Sequence, residues 1–203
     1  MSSQHKLDNI SLDIFGLNKK FFESGGAHPD VQSNTSILES NGWSGIVVEP
    51  WTGYNHLYSQ SRKKTILENY ALVSSEYTED YINATFSSDF GGSVIEGAHN
   101  NPWNPLPYPV TTITKLIKKH NLREIHLMTV DVEGYEIEVL NGIDFNEVNI
   151  HMLVPEHHWG DSFEFLNDFG FEQLKILGNQ HVYFNTKSEY YEKAKNYFNS
   201  FNN

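Results

Sequence analysis

Acids and imidazoles gather where short apolar runs of this chain end. "KKFFESGG" closes on Glu23, Gly25 and Gly26, and "GIVVEP" closes on Glu49. "EIHLMTVDVEG" closes on Asp131 and Glu133, and "NIHMLVPEHH" on Glu156, His157 and His158. Such groups can take a proton from a hydroxyl, and acids with an imidazole can hold a divalent ion that lowers the hydroxyl's pKa. His157 and His158 are adjacent, so on a strand at most one of them points into a cleft.

The glycine turn narrows the ligand. "FFESGGAHPDVQSNT" (Phe21 to Thr35) lacks the later glycine of a dinucleotide-binding G-x-G-x-x-G, and Pro29 stands near where one is expected. Glu23 would also repel a pyrophosphate. A cofactor with an ammonium group and no phosphate suits this turn better, and S-adenosylmethionine, which also carries a sulfonium, is one. Glu49, one strand later, is placed to accept hydrogen bonds from ribose hydroxyls.

These positions need strands to hold them. "KKFFESG" and "GIVVEP" read as strands, with "SNTSILESNGW" between them as a helix of about two turns, a βαβ unit. "WTGYNHLYSQSRKK" reads as helix and "TILENYALVS" as strand. "YINATFSSD" reads as extended, and "VTTITKLIKKHNL" as a helix behind threonine caps. "EIHLMTVDVEG" and "NIHMLVPEHH" read as buried strands, separated by a short helix in "YEIEVLNGI" that closes at Gly142. "SFEFLNDFG" is a helix ended by Gly170. "FEQLKILGNQHVYFNT" is a hairpin around Gly178–Asn179, and an amphipathic C-terminal helix covers 188–203. Alternating strands and helices followed by a hairpin predict an α/β, doubly wound, mainly parallel sheet with one antiparallel strand near an edge. Ligands of such sheets bind beyond the carboxyl ends of the strands, where strand order reverses.

The chain has 203 residues, enough for a single domain, with 1–18 as an N-terminal extension. Its 14 Lys and Arg against 26 Asp and Glu give a net charge of -12, which argues against nucleic acid and anionic membranes as partners. There is no cysteine, which excludes disulfides, thiolate metal sites and cysteine nucleophiles. No apolar run approaches the length of a membrane span and no signal-peptide centre is present, so the expected location is cytoplasmic.

"FFESGGAHPDVQSNT", "NGWSGIVVEP", Arg62, "ENYALVS", "TVDVEGYEIEVLNGIDF" and "VPEHH" occur in the order and spacing of the FkbM-type methyltransferases, which the chain resembles from about Phe21 to His157. The resemblance implies a Rossmann-like, seven-stranded sheet with its last strand antiparallel, and S-adenosylmethionine as cofactor. Carried over residue by residue, it places Glu23, Gly25 and Gly26 in the cofactor turn, and Ser33 and Asn34 as caps of the next helix beside the methionine end. It places Glu49 at the ribose, Asn69 and Ala71 near the adenine, and Asp131 at the reaction centre. Family turns commonly carry glycine where Pro29 stands.

Two chemistries remain open: base catalysis by His157 or His158, with Asp131 and Glu133 as further catalytic candidates, and a divalent metal such as Mg2+ held by Asp131, Glu156 and His157, by analogy with catechol O-methyltransferases. Glu133 has a second reading, capping the helix that follows it. The glycine- and proline-rich segment 90–109 is a candidate lid over a small-molecule or carbohydrate acceptor, with His99, Trp103 and Tyr108 to stack on or hydrogen-bond it; equally, its aromatics could pack on the core. "YEKAK" (Tyr191 to Lys195) matches a dehydrogenase Y-x-x-x-K, but it lies in the terminal helix and reads as a solvated face. The expected activity is methylation of a hydroxyl. The rivals are an NAD-dependent oxidoreductase and a non-catalytic binding module on the same sheet.

Overall fold

In the computed structural model of the chain, the residues described are 3–85, 94–95, 105–157 and 162–200. Seven strands form the main sheet: β1 (Lys20–Ser24), β2 (Ser44–Val48), β3 (Thr65–Glu68), β8 (Glu124–Val130), β9 (Asn149–Pro155), β10 (Phe171–Leu177) and β11 (Gln180–Asn185). Their order is β10-β11-β9-β8-β1-β2-β3. The pairs β1–β2, β2–β3, β1–β8 and β8–β9 are parallel, while β11 runs antiparallel to both β9 and β10. This is the doubly wound sheet with an antiparallel last strand that the sequence predicts. Strand order reverses between β1 and β8, and the C-terminal ends of those two strands flank the switch point.

Alternation along β1 shows why the sheet is covered on both faces. Phe22 joins one buried cluster, with Ile46, Val48, Met128, Val130 and Leu153. Phe21 joins the other, with Leu38, Trp43, Val47, Leu127 and Val182. Helix α1 (Leu7–Phe15) packs into the second cluster through Leu7, Ile10, Ile14 and Phe15, the i, i+3, i+7, i+8 stripe of a core-facing helix. Each such side chain is worth about 1.5–3 kcal/mol, so this part of the N-terminal stretch belongs to the core. Helices α2 (Ser36–Ser40), α3 (Asn55–Ser61), α4 (Ile113–Lys119), α5 (Glu136–Leu140) and α6 (Tyr191–Ser200) complete the layers. The Thr112 hydroxyl caps α4 by accepting from Lys115 N at 3.2 Å, as the threonines before that helix suggest.

The run read as one strand from Thr65 to Ser74 breaks after Glu68, and β4 (Ala71–Leu72) leaves the main sheet. It pairs with β7 (Leu106–Thr111) in a second sheet that also holds β5 (Tyr81–Thr85) and β6 (Val94–Ile95), in the order β4-β7-β5-β6. The last residues of the glycine- and proline-rich segment are therefore strand. The alternating prolines 107 and 109 hid that pattern, because proline removes ladder donors. His99, Trp103 and His158 lie outside the described residues. No helix among the described residues is long and apolar enough to cross a membrane.

Candidate active site

At the C-terminal end of β1 the chain bends through Gly25 and Gly26, whose N–H groups both donate to Val48 O at 3.0 and 3.2 Å. Gly25 has φ +77°, and a Cβ there would lie 1.7 Å from the carbonyl oxygen of Asp131. A Cβ on Gly26 would lie 2.1 Å from Val47 Cγ1, and the buried Tyr58 hydroxyl donates to Gly26 O at 2.9 Å. The two glycines thus let the ends of β1, β2 and β8 close on one another.

Behind the turn stands a buried cation. Arg62, only 5 % exposed, donates from Nε to Glu39 Oε2 (2.8 Å), from one terminal nitrogen to Pro29 O (2.8 Å) and Ser33 Oγ (3.1 Å), and from the other to Thr35 Oγ1 (2.6 Å). Pro29 gives up its own donor but offers the carbonyl that Arg62 binds. The Thr35 hydroxyl donates to Glu23 Oε2 (2.5 Å), and Asn34 N donates to Glu23 Oε1 (2.9 Å). Burial pushes the Glu23 carboxyl up, against the opposing pull of Arg62 and these hydrogen bonds. Asn34 is buried, and its Oδ1 has no hydrogen-bond partner among the described residues. The N-cap position of α2 is Thr35, but it is Ser33, as expected, whose Oγ accepts from the N–H groups at the helix start, Thr35 N (3.3 Å) and Ser36 N (3.2 Å).

One strand over, buried Glu49 accepts from Ala27 N (2.9 Å) and Trp51 N (2.8 Å), so it links the β1 turn to the β2 turn. Burial pushes its carboxyl up, with the two N–H groups acting against that. Asn69 donates to Glu49 O at 2.7 Å and exchanges amide hydrogen bonds with Asn55. Ala71 is buried in β4 and packs with Ile82 and half-buried Tyr108. Burial raises the Tyr108 hydroxyl's pKa and Glu49 raises it further, so this residue of the suspected lid lies within electrostatic reach of Glu49.

At the end of β8, Asp131 N donates to Ser24 O at 3.2 Å, and the Asp131 side chain is half-buried. Glu133 and Gly134 follow at φ +58° and +94°. The side chain that ties this turn before α5 is that of Glu136, which is buried and accepts from Val132 N (2.9 Å) and Gly134 N (3.1 Å). Tyr135, not Glu133, occupies the N-cap position of α5. At the end of β9, Asn179 donates to Glu156, and the His157 ring stacks on His181, with centroids 4.7 Å apart and 6° between planes. Burial lowers the pKa of His181, and the neighbouring His157 ring lowers it further. Among the described residues, the ligand atoms of Asp131, Glu156 and His157 do not fall within 4.8 Å of one another as a metal set would; a different trio does.

The site therefore combines a glycine turn, the buried acids Glu23, Glu49, Glu136 and Glu156, and the half-buried Asp131, Glu133, His157 and His181 at the C-terminal edge of the sheet. The profile described as the methyltransferase FkbM domain matches residues 24–184, most of the chain. The chain belongs to the FkbM methyltransferase domain family. No curated protein matches it significantly. Among solved structures it is similar to a precorrin-6Y C5,15-methyltransferase from Geobacter metallireducens, at 13% identity over 90% of this chain and 88% of that one, with a TM-score of 0.42. Membership of this family makes the protein a methyltransferase, with S-adenosylmethionine as the cofactor the family implies.

The residues present fit that cofactor. A carboxylate offers about four acceptor positions, and the two N–H groups on Glu49 leave capacity for ribose hydroxyls. Asn34 Oδ1 is an acceptor left over in the β1 turn, which suits an ammonium group and not a phosphate. Arg62, Glu39, Glu136 and His181 were not singled out as site residues from sequence. Arg62 had a signal: it is one of only 14 basic residues, and it follows a helix at a point where a strand begins.

Proposed function

We propose that the protein transfers a methyl group from S-adenosylmethionine to a hydroxyl oxygen of a sugar-containing or other small molecule. The observation that carries this reading is the buried Asn34 Oδ1, which has no hydrogen-bond partner among the described residues and lies beside Glu23, one strand from Glu49. In it, Asn34 and Glu23 receive the ammonium end, Glu49 the ribose, and Asn69 and Ala71 border the adenine. The bound cofactor supplies an electrophilic methyl on a sulfonium. The chain's task is to align the acceptor oxygen and remove its proton. Asp131, at the tip of β8 against Gly25, and His157, held by its stack on His181, are the bases for that proton. Tyr108 borders the acceptor. The net charge of -12 favours a neutral or cationic acceptor over nucleic acid.

Calorimetric titration tests the cofactor: S-adenosylhomocysteine should bind at about micromolar Kd and NAD(H) should not, and the reverse result would sink the reading. An acceptor screen with labelled cofactor tests the reaction, with Asp131→Ala expected to abolish any turnover found. Glu49→Gln is expected to weaken S-adenosylhomocysteine about tenfold or more, because an amide NH2 would then face either the Ala27 or the Trp51 N–H. Methyl transfer is expected to survive prolonged chelation, since Asp131, Glu156 and His157 are not spaced as a chelating set. Loss of activity that Mg2+ restores would overturn that part.

A further inference from the structure

At the opposite end of the sheet lies a cluster that methyl transfer does not use. His126 on β8 and His151 on β9 each sit between the strand-paired isoleucines 125 and 150 and the paired Leu127 and Met152. Both are buried, 4 % and 2 % exposed, with ring centroids 4.9 Å apart. Glu124, at the start of β8, brings Oε1 to 3.4 Å from His151 Nε2 and Oε2 to 4.0 Å from His126 Nε2. One ligand atom from each residue lies within 4.8 Å of the other two.

We propose that Glu124, His126 and His151 bind a divalent transition-metal ion of the Zn2+ class. Two imidazole nitrogens and one carboxylate oxygen are donors that suit Zn2+, whereas Mg2+ and Ca2+ take oxygen ligands. Each imidazole, when neutral, offers the ion one ring-nitrogen lone pair. Glu124 is largely exposed, which leaves a path for the ion and a fourth position for water. The far nitrogen of His151 already has an outer partner, Ser188 Oγ at 2.7 Å from Nδ1. On His126 the backbone N–H of Lys20 donates to Nδ1 at 3.4 Å, so metal binding at Nε2 puts the ring proton on Nδ1, opposite that N–H, a cost the ion's binding must exceed. Phe15 and Tyr190 pack on both rings and form an apolar shell around them.

Glu124 and Val130 are the two ends of β8, about 20 Å apart at the rise of a strand. The ion is therefore structural. It joins β8 to β9 beside the end of α1 and the turn at Ser188.

The test uses the full chain, stripped with a chelator and titrated with zinc sulfate by calorimetry. One ion per chain is expected, with a Kd of about 10 µM or tighter. Tm should rise by about 5–10 °C when free zinc exceeds Kd a hundredfold. Glu124→Gln, at an exposed position that leaves folding intact, should weaken binding about tenfold or more. His151→Gln, verified as folded by circular dichroism, should abolish it, and His157→Gln should not change it. The proposal is overturned if zinc does not bind, if either Glu124→Gln or His151→Gln leaves binding undiminished, or if His157→Gln removes it.

Discussion

Arg62→Ala is expected to cost about 3–5 kcal/mol of stability, the usual penalty for removing one partner of a buried ion pair. For a chain of this size that is a Tm loss of roughly 6–20 °C. Arg62 and Glu39 have side chains only 2 % and 9 % exposed, so the orphaned carboxylate has little access to water. Three further acceptors, Pro29 O, Ser33 Oγ and Thr35 Oγ1, would lose their donor together. Arg62→Lys should recover little, because one ammonium cannot reach four acceptors spread around a planar guanidinium. Urea denaturation of the three proteins measures this directly. A loss below about 1 kcal/mol in Arg62→Ala would show that the turn stands without it.

The pH dependence has a defined sign. Burial raises the Glu39 carboxyl, but donors from Lys64 N, Thr65 and Arg62 outweigh it and leave the pKa below 4.5. A carboxyl depressed on folding contributes stability above its unfolded pKa, and that contribution is lost as pH falls through the folded pKa. Arg62→Ala removes part of it, so the gap between wild type and variant should be widest at neutral pH and narrow on acidification below 4.5. A gap that stayed constant from neutral pH to about pH 3 would mean that Glu39 and Arg62 are not coupled.

This network shows what the sequence could and could not reveal. Strand ends were legible because "GIVVEP" and "NIHMLVPEHH" stop abruptly at acids, and a parallel sheet puts all such stops on one edge. That brought Glu23, Glu49 and Asp131 to the switch point without any knowledge of contacts. The partner of each acid was not legible. Glu23 faces Thr35 twelve residues on, and Glu39 faces Arg62 across a helix and a strand, distances along the chain that no local pattern encodes. Glu133 and Glu136 carry the same charge three residues apart in "DVEGYE". Only the backbone, turned to positive φ at Glu133 and Gly134, decides that Glu136 reaches back to the turn. The small second sheet was hidden for a different reason: its β7 carries prolines at two of six positions, which reads as loop.

Gly25→Ala is expected to weaken S-adenosylhomocysteine binding at least about a hundredfold and to destabilise the fold, whereas Gly134→Ala should do much less. Both glycines lie at positive φ, +77° and +94°, so each alanine pays the left-handed penalty of about 1–2 kcal/mol. They differ in what surrounds them. A Cβ at Gly134 meets nothing within 4 Å, while one at Gly25 would sit 1.7 Å from the backbone oxygen of Asp131. Backbone cannot rotate aside as a side chain can, so the alanine must push the ends of β1 and β8 apart. That breaks the hydrogen bond from Asp131 N to Ser24 O and shifts Asp131, at the end of β8, relative to the β1 turn. The strain common to both variants cancels in the comparison, and what remains measures the close approach of β1 and β8. Equal losses in the two variants would mean that conformational freedom alone explains Gly25, and that the joined strand ends do not position the cofactor.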